Sequence, residues 1–353
     1  MNESVTLTEA DLAIVEALQV SPRAPWSAVA RATGSSAVTV ARRWSRLVAS
    51  GAAWVTGTPG MPVWNAQCLA YVRIRCSPGH NLTVAETLAA DPHALSVELT
   101  AGDFDLFLTV ATADLHSLSR YVMERIDLVP GIVDTQTQIC THLYREGSRW
   151  RLGTLPPVAA AQLPSRPDGQ CHREPAATGP WGAEDQRLMI ALGLDGRTSY
   201  AGLADRAEVS EATVRRRVNA LLTGGTMVLR AEVAAHLSGW RVPVMLGIDA
   251  PSALLAETAA TIARQRQVRL CATLAGTPAI IVSAWLRDIE AIHDFETGLA
   301  RAIPQITVSS RMVTLRTVKR TGRLLDEHGS AVGAVPMDIW SDPVDRAAGP
   351  TPV

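Results

Sequence analysis

The sequence predicts an α+β fold laid down twice in tandem, two winged helix-turn-helix domains alternating with two ferredoxin-like β-α-β-β-α-β domains. Three features carry that expectation. Slid against itself by 174 residues, the chain aligns without a gap. Asp11, Ala17, Leu18, Arg23, Ala30, Ser36, Thr39, Val40, Arg42, Arg43, Leu47 and Gly51 recur as Asp185, Ala191, Leu192, Arg197, Ala204, Ser210, Thr213, Val214, Arg216, Arg217, Leu221 and Gly225. The same offset pairs Gly102, Asp114 and Pro130 with Gly276, Asp288 and Pro304, so the unit is a domain-sized repeat of roughly 140 residues rather than a short motif. Finally, each unit opens with helical periodicity and then changes to strand alternation.

In the first copy, Thr8 with Asp11 three residues on reads as an N-cap, and Leu12, Val15 and Leu18 form the stripe of a first helix. A second short helix runs from about Trp26 to Thr33 and turns at Gly34, where a residue without Cβ relieves a left-handed conformation. The third starts at Ser36 and ends before Gly51. The second copy repeats the plan near Ala183–Gly193, Tyr200–Ala207 and Ser210–Leu222, with Glu208 in place of Gly34. Downstream, CLAYVRIR, a helical TVAETLAA, SVELTAGDFDLFLTVA, a helix over 115–126 and a strand over 132–141 give the β-α-β-β-α-β order, and the second copy matches it from VPVMLGID to QITVSSRMVTL. The expected divisions are 7–57 and 181–232 for the helix-turn-helix domains and 66–145 and 240–320 for the ferredoxin-like domains. A Pro/Gly-rich linker is expected over 146–180 and an irregular tail over 321–353.

At 353 residues, 47% hydrophobic and 19% charged, the chain can bury several cores. Its longest apolar run, Ala279–Leu286, is far short of a membrane span, and MNESVTLTEAD lacks a basic-then-apolar leader, so a cytoplasmic protein is expected. Five cysteines without CxxC spacing argue for reduced thiols over disulfides or a zinc ribbon. His80, His93, His116, His142, His236 and His293 show no ligand spacing, and no phosphate loop or nucleophile elbow occurs, so neither metal nor cofactor is expected. A net charge of −1 gives no global pull toward polyanions. Nucleic-acid binding would have to come from a local patch.

Such a patch is present twice. On the third helix Val40, Trp44, Leu47 and Val48 share one face, which leaves Thr39, Arg42 and Arg46 outside with Arg43 at the flank. In the second copy Val214, Val218, Leu221 and Leu222 point inward, Thr213, Arg216 and Asn219 outward, and Arg215 and Arg217 lie beside them. Guanidinium forks suit guanine edges in the major groove, hydroxyls suit phosphates, and a helix start capped by Ser36 or Ser210 adds backbone donors. A solvated face would look similar on one helix; its repetition behind two preceding helices favours double-stranded DNA.

The helix TVRRRVNALLTGG, the following RAEVAAHLSGW, the TAGDFDLFLTV turn and VPGIVDTQT together resemble the leucine-responsive/asparagine-synthesis regulator (Lrp/AsnC) family of transcription factors, in a tandem two-unit form. The resemblance spans nearly all of residues 7–320. It implies effector domains that pair across a sheet, a homo-oligomer, and a small-molecule ligand such as an amino acid held near the G-D-x-D turn. By position Gly102, Asp103 and Asp105 would contribute, with Thr135 and Thr137 nearby, although a Gly-Asp pair between strands is also a hairpin turn. The second copy keeps only Gly276 of that turn, followed by Thr277, Pro278 and Ala279, which implies a lost or altered site. Two other readings stay open: an enzyme like the siroheme decarboxylases of similar fold, and a ligand-binding module without DNA binding.

Overall fold

The structure is a computed structural model that describes residues 6–164 and 181–345, with the backbone of 351–352. The second part of the expected linker, residues 165–180 with Cys171, and the last residues of the tail lie outside the described residues. The first unit opens with α1 (Glu9–Val20), α2 (Trp26–Thr33) and α3 (Ala37–Ala49). Thr8 and Asp11 form a reciprocal capping box at the start of α1. Gly34 ends α2 in the left-handed region at φ 64°. The helices close on Ile14, Leu18, Val29, Val40, Trp44 and Leu47, all buried.

Then follow β1 (Ala53–Pro59), α4 (Met61–Ala66), β2 (Cys68–Cys76), α5 (Asn81–Ala89), β3 (Ala94–Ala101), β4 (Leu106–Thr112), α6 (Leu115–Arg120), which runs on as a π-type stretch to Ile126, and β5 (Ile132–Arg145). After α7 (Pro157–Ala160), the second unit repeats the order with α8 (Ala183–Leu194), α9 (Tyr200–Ala207), α10 (Glu211–Thr223), β6 (Met227–Val233), β7 (Val242–Asp249), α11 (Leu255–Ala263), β8 (Val268–Ala275), β9 (Ile280–Leu286), α12 (Ala291–Ala302) and β10 (Thr307–Arg320).

Each four-stranded sheet has the ferredoxin-like order, β3-β4-β2-β5 and β8-β9-β7-β10. The two sheets close into a single eight-stranded ring, because β5 pairs with β8 and β10 with β3. Closure removes the free edges that would otherwise invite aggregation. It also explains why strands such as CLAYVRIR are apolar on both faces. Ala70, Val72 and Ile74 point out to α5 and α6, whereas Leu69 and Tyr71 point into the ring, where Tyr71 stacks on Phe107 at 5.7 Å. Val244, Leu246 and Ile248 repeat the outward pattern under α11 and α12.

The repeat in the sequence is a pseudo-two-fold axis in the structure. Ile139 faces Ala275 at one ring seam, and their counterparts 174 residues away, Val313 and Ala101, face each other at the other. Both seams carry their register shifts at equivalent positions. The strand after each helix-turn-helix takes part too: β1 pairs antiparallel with β6, and Thr56 faces Arg230, its own counterpart in the repeat. Each first helix then packs on the other unit's strand, α1 on β6 and α8 on β1.

Two expectations are corrected here. The described start of the linker is not a free tether: Trp150, Leu152, Leu155 and Leu163 are buried, and Glu16 of α1 accepts hydrogen bonds from the Leu155 amide at 2.7 Å and from Thr154. Nor is the described part of the tail irregular throughout. It extends the sheet through β11 (Arg323–Leu325) and β12 (Ala331–Ala334) and buries Val335, Met337 and Ile339. Local composition hid both, since these residues acquire their partners only from distant parts of the chain.

Candidate nucleic-acid interface and ligand site

Ser36 caps α3 by accepting from the Thr39 amide at 3.1 Å, and Ser210 caps α10 from the Thr213 amide at 3.2 Å. The left-handed residue before each cap is Gly34 in one copy and Glu208, at φ 56°, in the other, so the substituted turn keeps the same geometry. The arginines then divide into two groups. Arg43 is bound to the buried carboxylate of Asp11 at 2.9 Å, and Arg46 reaches both oxygens of the same carboxylate at 3.0 Å. In the second copy Arg217 pairs with Asp185 at 2.9 Å and with Glu184. These three side chains brace the third helix to the first, and Arg46 stays largely exposed while doing so.

The Asp11 carboxyl shows the strength of the brace. Burial alone would raise its pKa, but hydrogen bonds from Thr8 and Arg43 and the charge of Arg46 hold it below the ordinary carboxylate value. Arg215 is turned toward Glu211 at 2.9 Å and lies over the Tyr200 ring at 4.7 Å, and Tyr200 donates to Asn219 at 3.4 Å. Arg42 and Arg216 alone among these arginines are exposed with no ion pair or hydrogen bond to the described residues. They occupy the same position of the repeat.

The G-D-x-D turn divides in a similar way. Gly102, at φ 147°, lies so close to the Arg311 carbonyl of β10 that a Cβ would meet it at 2.5 Å. Asp103 is exposed beside Arg73, whose guanidinium lies over Phe104 at 5.0 Å and donates to the Thr277 carbonyl at 3.5 Å. Asp105 faces the other way and holds the start of α5, accepting from the Cys76 amide at 2.8 Å and from Asn81 at 3.2 Å. Thr135 and Thr137 sit opposite Ile74 and Val72 on the outer face of the sheet, and Thr135 donates to Asp127 at 3.1 Å. Of these residues, Gly102 and Asp103 lie at the junction between the units, while Asp105 holds the start of α5 and Thr135 and Thr137 lie on the outer face of the sheet.

A second polar centre escaped the sequence reading. Inside the ring, Glu232 accepts two hydrogen bonds from Arg269, at 2.8 and 2.9 Å, and one from Arg230 at 2.6 Å. Burial would raise its pKa, yet the charges of Arg230, Arg269 and Arg320 push it down to about 2. Arg269 lies between two indoles, Trp285 at 3.9 Å and Trp150 at 4.7 Å. The signal available beforehand was a lone charge inside an apolar strand, as in QVRLCATL, without any indication of which face was enclosed.

Two helix-turn-helix heads mounted on a ring of paired ferredoxin-like sheets define the class of two-headed regulators built as an internal dimer. The AsnC-type helix-turn-helix domain model matches residues 7–48 and 184–222, and the Lrp/AsnC ligand binding domain model matches 69–150 and 244–324. The chain belongs to the Lrp/AsnC family of transcriptional regulators.

Among its relatives are an uncharacterized HTH-type transcriptional regulator of Pyrococcus horikoshii, 29% identical over 147 residues that make up 41% of this chain and 93% of that one, and the HTH-type transcriptional regulator LrpA1 of Halobacterium salinarum, 30% identical over 127 residues, 35% and 89% of the two chains. Each is nearly covered by less than half of this chain, as a one-unit relative of a two-unit protein should be. Among solved structures, the siroheme decarboxylase NirDL is similar over 92% of this chain and 96% of its own, with a TM-score of 0.55 and 15% identity. That likeness shows the fold alone. No described helix is long and apolar enough to cross a membrane.

Proposed function

We propose that this protein is a sequence-specific DNA-binding transcriptional regulator that reads two unlike half-sites with Arg42 on α3 and Arg216 on α10, and that its effector domains sense a small molecule of amino-acid size. The observation that carries the reading is the division among the arginines: neighbours at equivalent positions are tied to carboxylates, while Arg42 and Arg216 are both left exposed and unpaired. A fork free of intramolecular partners costs little to bring onto a guanine edge. The outer faces differ, Ser45 and Arg46 standing where α10 carries Asn219 and Ala220, so the operator need not be a palindrome within one chain's footprint.

Asp103, exposed beside Arg73, is the residue of the G-D-x-D turn free to meet a ligand, and Leu128 and Val133 offer exposed apolar surface for a second copy. Gel retardation of the DNA upstream of the protein's own gene tests the reading. Arg42→Ala with Arg216→Ala should abolish specific retardation while circular dichroism and melting stay those of the parent. Retardation unchanged by the double substitution would exclude these helices as the reading heads.

A further inference from the structure

The ring holds a half-open cavity of about 130 Å³ at the end facing the β1–β6 pair, bounded by Thr58, Trp64, Tyr71, Glu98, Arg230, Arg269, Trp285 and Arg320 among others. At roughly 10–15 Å³ for each enclosed water, that space is far larger than one water needs and suits a small organic molecule. Two wall atoms lack partners. Arg320 is 6% exposed and its Nη2 donates to Thr317 at 3.0 Å, but its Nη1 is buried without a hydrogen bond. The hydroxyl of Tyr71, whose side chain is fully buried, is likewise unsatisfied. Buried donors left unpaired are costly, and two on one cavity wall mark a place where an acceptor belongs.

The charges around the cavity are lopsided. Arg230 and Arg269 are hydrogen-bonded to Glu232, whereas Arg320, stacked on Trp285 at 4.7 Å, makes no hydrogen bond to a carboxylate among the described residues and feels Glu98 and Glu232 only through space. The cavity also lies on the pseudo-two-fold axis. Its wall contains both members of several repeat pairs: Tyr71 with Met245, Leu95 with Arg269, and Glu146 with Arg320. A symmetric dimer would present every group twice around such an axis. Here the arginines come from the second unit alone, so joining the units in one chain made a site with a distinct cationic side.

The geometry points to this internal cavity as a binding site for a small organic carboxylate, held by the free edge of the Arg320 guanidinium and the Tyr71 hydroxyl, with Trp285 as one wall. It is separate from the G-D-x-D turn. Arg230 contributes to the wall and sits on the strand pair that joins the two heads, so occupancy bears on how far apart the heads stand. That consequence rests on the proposed DNA-binding role; the binding does not.

The test is titration calorimetry and thermal melting of the full chain with acetate, succinate and the common L-amino acids as probes, without DNA. At least one probe should bind and raise Tm. Tyr71→Phe, which removes an unsatisfied hydroxyl and keeps the ring, should weaken that probe about tenfold, the usual scale for a hydrogen bond to a charged group. Arg320→Gln should weaken it further, and Asp103→Ala should leave it unchanged. If no probe binds the parent at millimolar concentration, or if Tyr71→Phe binds as the parent does, the assignment is overturned; loss of binding in Asp103→Ala alone would place the ligand at the turn instead. Tyr71→Phe keeps the test decisive should Arg320→Gln fail to fold. Gel retardation of the same variants reports DNA binding separately.

Discussion

Arg23 and Arg197 hold the two heads together by doing the same thing to each other's turn. Arg23 donates to the carbonyl oxygens of Gly196 and Thr198 at 2.8 and 3.0 Å, and Arg197, its counterpart in the repeat, donates to those of Pro22 and Ala24 at 2.6 and 3.3 Å. The aromatic contacts are reciprocal as well: Arg23 lies over Tyr200 at 4.9 Å and Arg197 over Trp26 at 4.0 Å. Burial, with the charge of Arg23 added, brings the Arg197 pKa down to about 10, so it stays charged at neutral pH. A mutual clasp of this kind fixes the separation and angle of α3 and α10 more directly than a tether would.

Arg23→Ala should therefore loosen the heads rather than unfold them. Affinity for an operator carrying both half-sites is expected to fall severalfold while affinity for either half-site alone stays at the parent value. The stability cost should be about 1–3 kcal/mol, the range for lost hydrogen bonds to a charged donor. Because the two guanidiniums repel each other and either single substitution already relieves that repulsion, Arg23→Ala with Arg197→Ala should cost more than the two single substitutions added together, a comparison that a double-mutant cycle by calorimetric melting makes directly. Strict additivity would remove the coupling.

Asp11 and Asp185 occupy one position in the repeat but carry different loads. Asp11 is fully buried, completes the capping box with Thr8 and receives Arg43 and Arg46, whereas Asp185 is partly exposed and shares Arg217 with Glu184 at a helix start without a side-chain cap. Asp11→Ala should lower stability by about 1–3 kcal/mol and Asp185→Ala by less. The folded-state pKa of Asp11 lies below its ordinary 3.8, so its contribution is present above that value and lost as pH falls through the folded value. Melting curves of the two variants at neutral pH, and of the parent against Asp11→Ala below pH 3.8, provide the check; equal losses would contradict the asymmetry.

Much of this architecture was legible because local chemistry and the long-range repeat agreed. Thr8 with Asp11, Gly34 and Ser36 marked helix boundaries whose determinants lie within a few residues, and the 174-residue offset stated in advance that whatever one unit does the other repeats. What stayed hidden depends on which strand lies beside which. Ala275 gives no local sign that Ile139 will face it, and Trp150 in a proline-rich stretch looks like a linker residue until Trp240 and Trp285 close around it at 5.8 and 5.3 Å. The arginine face of α3 was read correctly as a helix surface, yet periodicity could not reveal that Asp11 would claim two of its cations, since that contact spans two helices.

The Gly34 and Glu208 turns make a matched pair for backbone strain. Both adopt the left-handed conformation, at φ 64° and 56°, and a Cβ at Gly34 would meet nothing within 4 Å, so only the backbone distinguishes the two residues there. A left-handed non-glycine residue costs on the order of 1–2 kcal/mol, part of which glycine gives back in unfolded-chain entropy. Glu208→Gly should stabilise the second helix-turn-helix by about 1 kcal/mol and Gly34→Ala destabilise the first by a similar amount. Amide hydrogen exchange in α9 and α2 reads the two effects separately, and a loss of protection in Glu208→Gly would show that the glutamate side chain matters more than its backbone.

Glu232 provides the sharpest pH signature. Its carboxylate is the hydrogen-bonded counterion of Arg230 and Arg269 inside the ring, and their charges, with that of Arg320, outweigh burial to bring its pKa from 4.5 to about 2. Because the folded value is the lower one, the contribution is complete above pH 4.5 and disappears as pH falls toward 2. Glu232→Gln leaves the buried guanidinium of Arg269 and the partly buried one of Arg230 without their hydrogen-bonded counterion and should cost about 3–5 kcal/mol at neutral pH. The variant should also lose the part of the acid sensitivity between pH 4.5 and 2 that belongs to this group. Replacing the network as a whole, with Arg230→Met, Glu232→Leu and Arg269→Met, should recover most of the stability, since an apolar filling avoids the desolvation that the charges must offset. Melting profiles of the parent, Glu232→Gln and the triple variant across that pH window separate the two contributions. A triple variant no more stable than Glu232→Gln would mean that the ring needs these charges for its packing and not merely for their mutual neutralisation.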